Sequence, residues 1–197
     1  MNWKIAVISS LIVSLPGCVL FRDGSKELPA QWPPPQSASG KRSISLYVTS
    51  GDVPGRSSSE SGRDVLATIS GQAFKAYTES GLFSSVTTTG ESADLIADIN
   101  VVEKGAEGLS WSGVISAITF TVIPGRVPQE LSMKTVYRNR EDKVVATVEE
   151  REELGFWVEF FLLFAMPFTD GPNAVMNEAQ YDLHRLAIDE ARRKGIF

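Results

Sequence analysis

The sequence predicts an α+β domain over residues 43–197, a largely antiparallel sheet with two helices on one face. Three observations predict it. Short runs of alternating apolar and polar residues recur between residues 43 and 150, and period two is the spacing of a strand with one buried face. Two stretches carry apolar residues at intervals of three and four, the spacing of one helical face. The order is strand, helix, several strands, helix, which is that of an α+β layout.

The elements follow in turn. Ile44, Leu46 and Val48 alternate with Ser43, Ser45 and Tyr47, as a first strand requires. Gly51 to Ser61 is a Gly/Ser/Pro loop, and Ser61 with Asp64 forms a weak capping box. Val65, Leu66, Ile69, Ala73, Ala76 and Tyr77 then share a helical face, and Gly81 supplies the stop. Leu82 to Thr89 reads as a strand. Leu95, Ala97, Ile99 and Val101 alternate with Asp98 and Asn100 as a half-buried one. Leu131 to Arg138, the polar turn Asn139 to Lys143, and Val144 to Glu150 form a hairpin pattern. The acidic cluster Glu149 to Glu153 reads as a solvated strand end. Pro172 opens the last helix, whose stripe is Met176, Ala179, Leu183, Leu186 and Ala187. Arg192 to Lys194 complement its dipole and Gly195 ends it.

Composition narrows function more by exclusion than by choice. With 19 basic and 24 acidic residues, net charge -5 and no basic run, the chain is a poor nucleic-acid binder. One His and one Cys leave too few ligands for a usual zinc site, and no disulfide forms within the chain. Triad chemistry would have to run through His184, which reads as a surface or edge histidine. Neither a nucleophile elbow, a P-loop nor a Gly-x-Gly-x-x-Gly fingerprint is present, and no cofactor or metal is expected. Asp94 and Asp98, four apart on a strand, stand about 13 Å apart by strand rise, too far to share one metal.

The N-terminus carries the most specific signal. Lys4 precedes the apolar run Ile5–Leu15, which is too short to span a bilayer but has the length of a signal-peptide core. Leu15-Pro16-Gly17-Cys18 follows at once. This motif resembles the lipobox of bacterial lipoproteins. The resemblance implies a diacylglyceryl group on the Cys18 sulfur, cleavage between Gly17 and Cys18, and acylation of the new amino group. Pro16 departs from the usual residue at its position. Residues 1–17 are thus expected to be a signal peptide. Residues 18–42, with Pro29 and Pro33 to Pro35, are expected to be an acylated start and a Pro/Ser-rich tether to a single periplasmic domain, 43–197. Val19, not Asp, follows the cysteine, and by the enterobacterial sorting pattern this implies the outer membrane, facing the periplasm. The run Gly81 to Val86, followed by Ala93-Asp94 and a strand, also resembles small periplasmic lipoproteins with a βαββ core, including envelope-assembly lipoproteins and the N-terminal domains of Tol-Pal-type proteins.

Two apolar runs stand out in the domain, residues 111–123 and 156–168. Read at period two, the second is apolar on both faces and must be covered twice or touch something outside the domain. Trp111, Phe156, Trp157, Phe160, Phe161 and Phe164 are therefore the candidate contact surface. The expected function is a non-enzymatic envelope lipoprotein that binds a membrane surface, an envelope protein or a cell-wall partner. The alternatives are a carboxylate-dependent hydrolase of envelope material, which needs two carboxylates converging in one pocket, and a self-associating structural lipoprotein.

Overall fold

The computed structural model describes residues 17–24, 27–36, 40–51, 60–88, 93–105, 125–159, 162, 168 and 170–197. In chain order the elements are β1 (Gly17–Asp23), β2 (Arg42–Ser50), α1 (Glu60–Glu79), β3 (Phe83–Thr87), β4 (Leu95–Gly105), β5 (Gly125–Asn139), β6 (Val144–Glu159) and α2 (Pro172–Arg193). The fold is α+β, and the strands form one curled, largely antiparallel sheet in the order β1-β6-β5-β4-β2-β3. The parallel exceptions are β2 with β3 and β2 with β4.

The chain divides into two compact units. The larger comprises Gly24–Lys104, Glu130–Glu153 and Met176–Phe197. Its core follows from the alternation of its strands. In β4, Leu95, Ala97, Ile99 and Val101 are buried while the residues between them are not. The register Ile44↔Leu95 and Leu46↔Ala97 sets the buried residues of β2 on that same face. Leu131, Met133, Thr135 and Tyr137 of β5 and Val148 of β6 complete it. Over them lie Ile69, Ala73, Ala76 and Tyr77 of α1, and Ala179, Leu183, Ala187, Ile188 and Ala191 of α2. The two helices also touch each other, since Tyr77 meets the His184 ring edge-on and the Tyr181 hydroxyl donates to Glu79.

Glycines end both helices where the spacing expects them. Gly81, at φ 65°, follows α1, and Gly195, at φ 75°, follows α2. After α2 the Ile196 amide donates back to Ala191 O and the Gly195 amide to Arg192 O, a left-handed cap that uses the last free carbonyls. The opposite face of the sheet is mixed, with Tyr47 and Val145 exposed on it beside charged residues. It carries Arg138–Asp98 at 2.7 Å and Lys134–Glu149 at 3.0 Å. Such partly exposed pairs add little stability singly.

Tyr77 of α1 and Tyr137 of β5 are fully buried and share a hydrogen bond of 2.8 Å between their hydroxyls. Burial pushes both phenols well above their ordinary range, so each stays neutral and each serves as the other's polar partner.

The smaller unit comprises Met1–Asp23, Gly105–Gln129 and Leu154–Val175. Its described residues include β1, with Val19 and Leu20 each only 2% exposed, and the buried Leu154 of β6. Arg126 of β5 donates to Asp23 of β1 at 2.5 Å. Gly155 of β6 lies between them, and a Cβ there would collide with Asp23 Oδ2 and crowd Arg126 Nε. Glycine at 155 is what lets β1 and β5 exchange a charge pair across the strand that separates them.

Two segments singled out from the sequence take definite places, and the second corrects an expectation. The segment 18–42, expected to be a tether, starts in β1. Residues 17–23 are a strand of the sheet, so the Pro-rich stretch connects β1 to β2 within the fold. Pro34 is buried, and the Arg185 guanidinium lies 5.1 Å from the Trp32 ring centroid. The acidic cluster is no strand end. β6 runs on to Glu159, and alternation puts Glu150 and Glu152 on the face of Val148 and Leu154, 6% and 4% exposed.

A chain starting at Lys41 should therefore melt on the order of 10 °C below one starting at Val19, because burial of Val19 and Leu20 contributes roughly 1.5–3 kcal/mol each. Equal melting by circular dichroism would show that β1 adds no stability. For the tyrosine pair, Tyr137→Phe alone should cost about 1–3 kcal/mol by leaving the Tyr77 hydroxyl buried and unpaired. Adding Tyr77→Phe should recover most of it, a coupling that a double-mutant cycle in urea measures directly.

Candidate functional site

The residues singled out from sequence fall in three places. Gly17 and Cys18 lie in β1. Phe156 and Trp157 lie near the end of β6, both half-buried, and as neighbours in a strand they point to opposite faces. Trp111, Phe160, Phe161 and Phe164 lie outside the described residues. The structure thus brings Cys18 and the start of the second apolar run into the smaller unit. Phe168, at the end of that run, is 89% exposed.

Cys18 directly precedes the buried Val19 and Leu20, and β1 occupies an outer position in the sheet. At the other end of β1 the Asp23–Arg126 pair fixes the strand. Phe21 between them is 43% exposed. This local arrangement is a short strand whose first residues are built into the fold and whose aromatic side chain reaches solvent.

The larger unit contains a cleft of about 400 Å³ that sequence reasoning missed. Gln36, Lys41, Arg42, Leu82, Ile196 and Phe197 line it together with Gly40, Gly81 and Gly195. It forms where the start of β2 meets the turns that end α1 and α2. Arg42 donates to Ile196 O at 3.2 Å, and Phe197 packs edge-on against Phe83 and Tyr137. Beside it, Ser43 donates through both its amide and its hydroxyl to Asp94 Oδ2, and Arg140 pairs with Asp94 Oδ1 at 2.7 Å. These bonds, the Ser43 amide first, hold the Asp94 carboxyl below the usual carboxylate range. Only the two glycine stops hint at the cleft in the sequence, since its walls come from the ends of elements far apart in the chain.

The larger unit also holds the sole histidine and a pair of carboxyl groups. His184 is fully buried, not at a surface or edge as expected, and neither ring nitrogen has a hydrogen-bond partner among the described residues. Burial lowers its pKa to about 3, so it is neutral and out of reach of any solvent-borne substrate. One carboxyl pair does converge. Glu190 of α2 shares a hydrogen bond with Glu150 of β6. Glu190 is held below the ordinary range, first by Lys194 at 2.7 Å. Neither glutamate lines the cleft, and the pair joins α2 to β6. Among the described residues no group of three or more His, Cys, Asp or Glu is placed to hold a metal, and no helix is long and apolar enough to cross a membrane.

No family model matches this chain, and no curated protein matches it. Solved structures are similar at low identity. A PelC dodecamer from Paraburkholderia phytofirmans matches at 9% identity and TM-score 0.39, covering 88% of this chain and 95% of that one. A second PelC dodecamer structure from the same organism matches at 10% and 0.37, covering 88% and 99%. A protein described as a neuraminyllactose-binding hemagglutinin homolog from Helicobacter pylori matches at 12% and 0.36, covering 84% and 91%.

Buried, neutral His184 makes stability depend on pH in a stated direction. Its folded pKa lies below its unfolded value, so its contribution is intact above the ordinary histidine range and is lost as pH falls toward 3. The loss should reach about 1.4 kcal/mol for each pH unit below roughly 6.5. His184→Leu should flatten that part of the stability curve between pH 6 and 4, measured by urea denaturation at each pH. An unchanged slope would place the acid sensitivity on the carboxylates.

Proposed function

We propose that the chain is a lipoprotein of the bacterial envelope, fixed to a membrane by acylated Cys18, that acts by binding rather than by catalysis. The single observation that supports the reading is Leu15-Pro16-Gly17-Cys18 placed directly after a charged and then apolar N-terminal stretch, with Cys18 the only cysteine. Two or three acyl chains on one residue hold a protein on a bilayer stably where a single chain does not. Val19 after the cysteine favours the outer membrane, with the domain facing the periplasm. The binding surfaces available to it are the half-buried aromatics of β6 and the cleft with Lys41 and Arg42. Burial of the sole histidine and the use of Asp94, Asp98 and Glu190 in ion pairs support a binding role.

The test is intact mass of the protein extracted from a bacterial membrane fraction. Loss of residues 1–17 with a gain of diacylglyceryl and acyl mass is expected. Cys18→Ser should abolish both changes and leave the precursor unprocessed. A Cys18→Ser chain that is cleaved at the same bond and stays in the membrane to the same extent would overturn the reading.

A further inference from the structure

Where a lipid-anchored domain sits depends on how much slack lies between the acylated residue and the first residue locked in the fold. Here there is almost none. Val19 and Leu20 are each 2% exposed, and both belong to β1. Consecutive Cα atoms are about 3.8 Å apart, so Val19 is bound into the sheet one residue step from the sulfur-bearing residue. β1 is hydrogen-bonded to β6 and held at its far end by the Asp23–Arg126 pair over Gly155. The Pro-rich stretch that looked like a spacer lies after β1, between two strands of one sheet. It lies on the wrong side of the first fixed point to separate lipid from domain.

We propose that β1 is a rigid mount that holds the smaller unit directly against a lipid surface, with the Cys18 end of the strand at the headgroups and no spacer between. The proposal rests on the acylation reading above. Phe21, 43% exposed, then lies within about 10 Å of the acylated residue by strand rise and offers an aromatic side chain to the headgroup region. Thermal rotation about a flexible leash is replaced by a fixed presentation of the smaller unit to the bilayer.

The experiment measures height. Acylation consumes the only native thiol, so Asp170→Cys, at an exposed position of the smaller unit, gives a single labelling position in the mature lipoprotein. Energy transfer from that dye to a headgroup acceptor in phosphatidylethanolamine/phosphatidylglycerol vesicles reports the distance to the bilayer. Ten Gly/Ser residues inserted between Cys18 and Val19 should raise the smaller unit by about 17 Å. The same ten residues between Gly40 and Lys41, where Gly40 is exposed with open space around it, should leave the height unchanged within about 5 Å. If that insertion disturbs the fold by circular dichroism, insertion between Gly24 and Ser25, after the exposed Gly24, makes the same comparison. A rise on lengthening at Gly40 or Gly24 would restore the leash and overturn the mount, as would no rise on lengthening after Cys18. Cys18→Ser is the separate control. If that protein floats with the vesicles as fully as the acylated one, the acylation reading fails first and the mount falls with it.

Discussion

The alternation of β4 is the constraint on which the larger unit depends. Leu95, Ala97, Ile99 and Val101 all point one way, and a shift of one residue would send all four to the opposite face, where Asp98 now meets Arg138. The register of β2 against β4 carries that choice to Ile44 and Leu46. Both helices then have one face on which to bury their stripes. The caps at Gly81 and Gly195, the Tyr77–Tyr137 bond and the cleft walls all follow from where the helices end on that face.

The buried polar groups show how such a core tolerates exceptions. Tyr77 and Tyr137 satisfy each other, so two polar hydroxyls sit in the interior with a partner in place. His184, Ser45 and Thr135 are buried without one among the described residues. A neutral imidazole bears that better than a charged one, which is why its pKa falls rather than rises. Glu150 and Glu190 take a third route, a hydrogen bond between carboxyls backed by Lys194.

Much of this was legible from residue spacing, and the failures share a cause. β2, α1, β3, β4, the β5–β6 turn and α2 were visible because each has a clear period or a glycine stop of its own. β1 was not. Cys18 to Asp23 has no alternation, follows an apolar leader and precedes a Pro-rich stretch, and its partner strand lies far away in the chain. β6 was read as ending near Glu150 because four glutamates in five residues look solvated. Only a helix packed above, with Glu190 and Lys194 on it, makes an inward glutamate tolerable. His184 follows Leu183 on a stripe whose width, not its spacing, decides burial, and α2 turns out wide enough to take in Gln180, Asp182 and His184 as well. The cleft was invisible for the same reason as β1, since no local window contains its walls. Of the candidate site, only the Cys18 motif could be read locally, because Leu15 to Cys18 is a short linear stretch whose reading as a proposed processing signal needs no fold.

The position of β1 also orders events in time. The Asp23–Arg126 bond spans 103 residues, and β6, the direct neighbour of β1, lies further along still. The first strand to be synthesised is therefore the strand whose place in the sheet comes into being only when three quarters of the chain exist. Closing so long a loop is entropically costly, so β1 joins a sheet already formed rather than starting one. Until then the stretch around Gly17 and Cys18 has no strand to pair with and stays extended and open. On the acylation proposed above, a chain whose β1 is still unpaired presents the Gly17–Cys18 bond as unfolded peptide, and the sheet then closes around a strand that begins at Cys18.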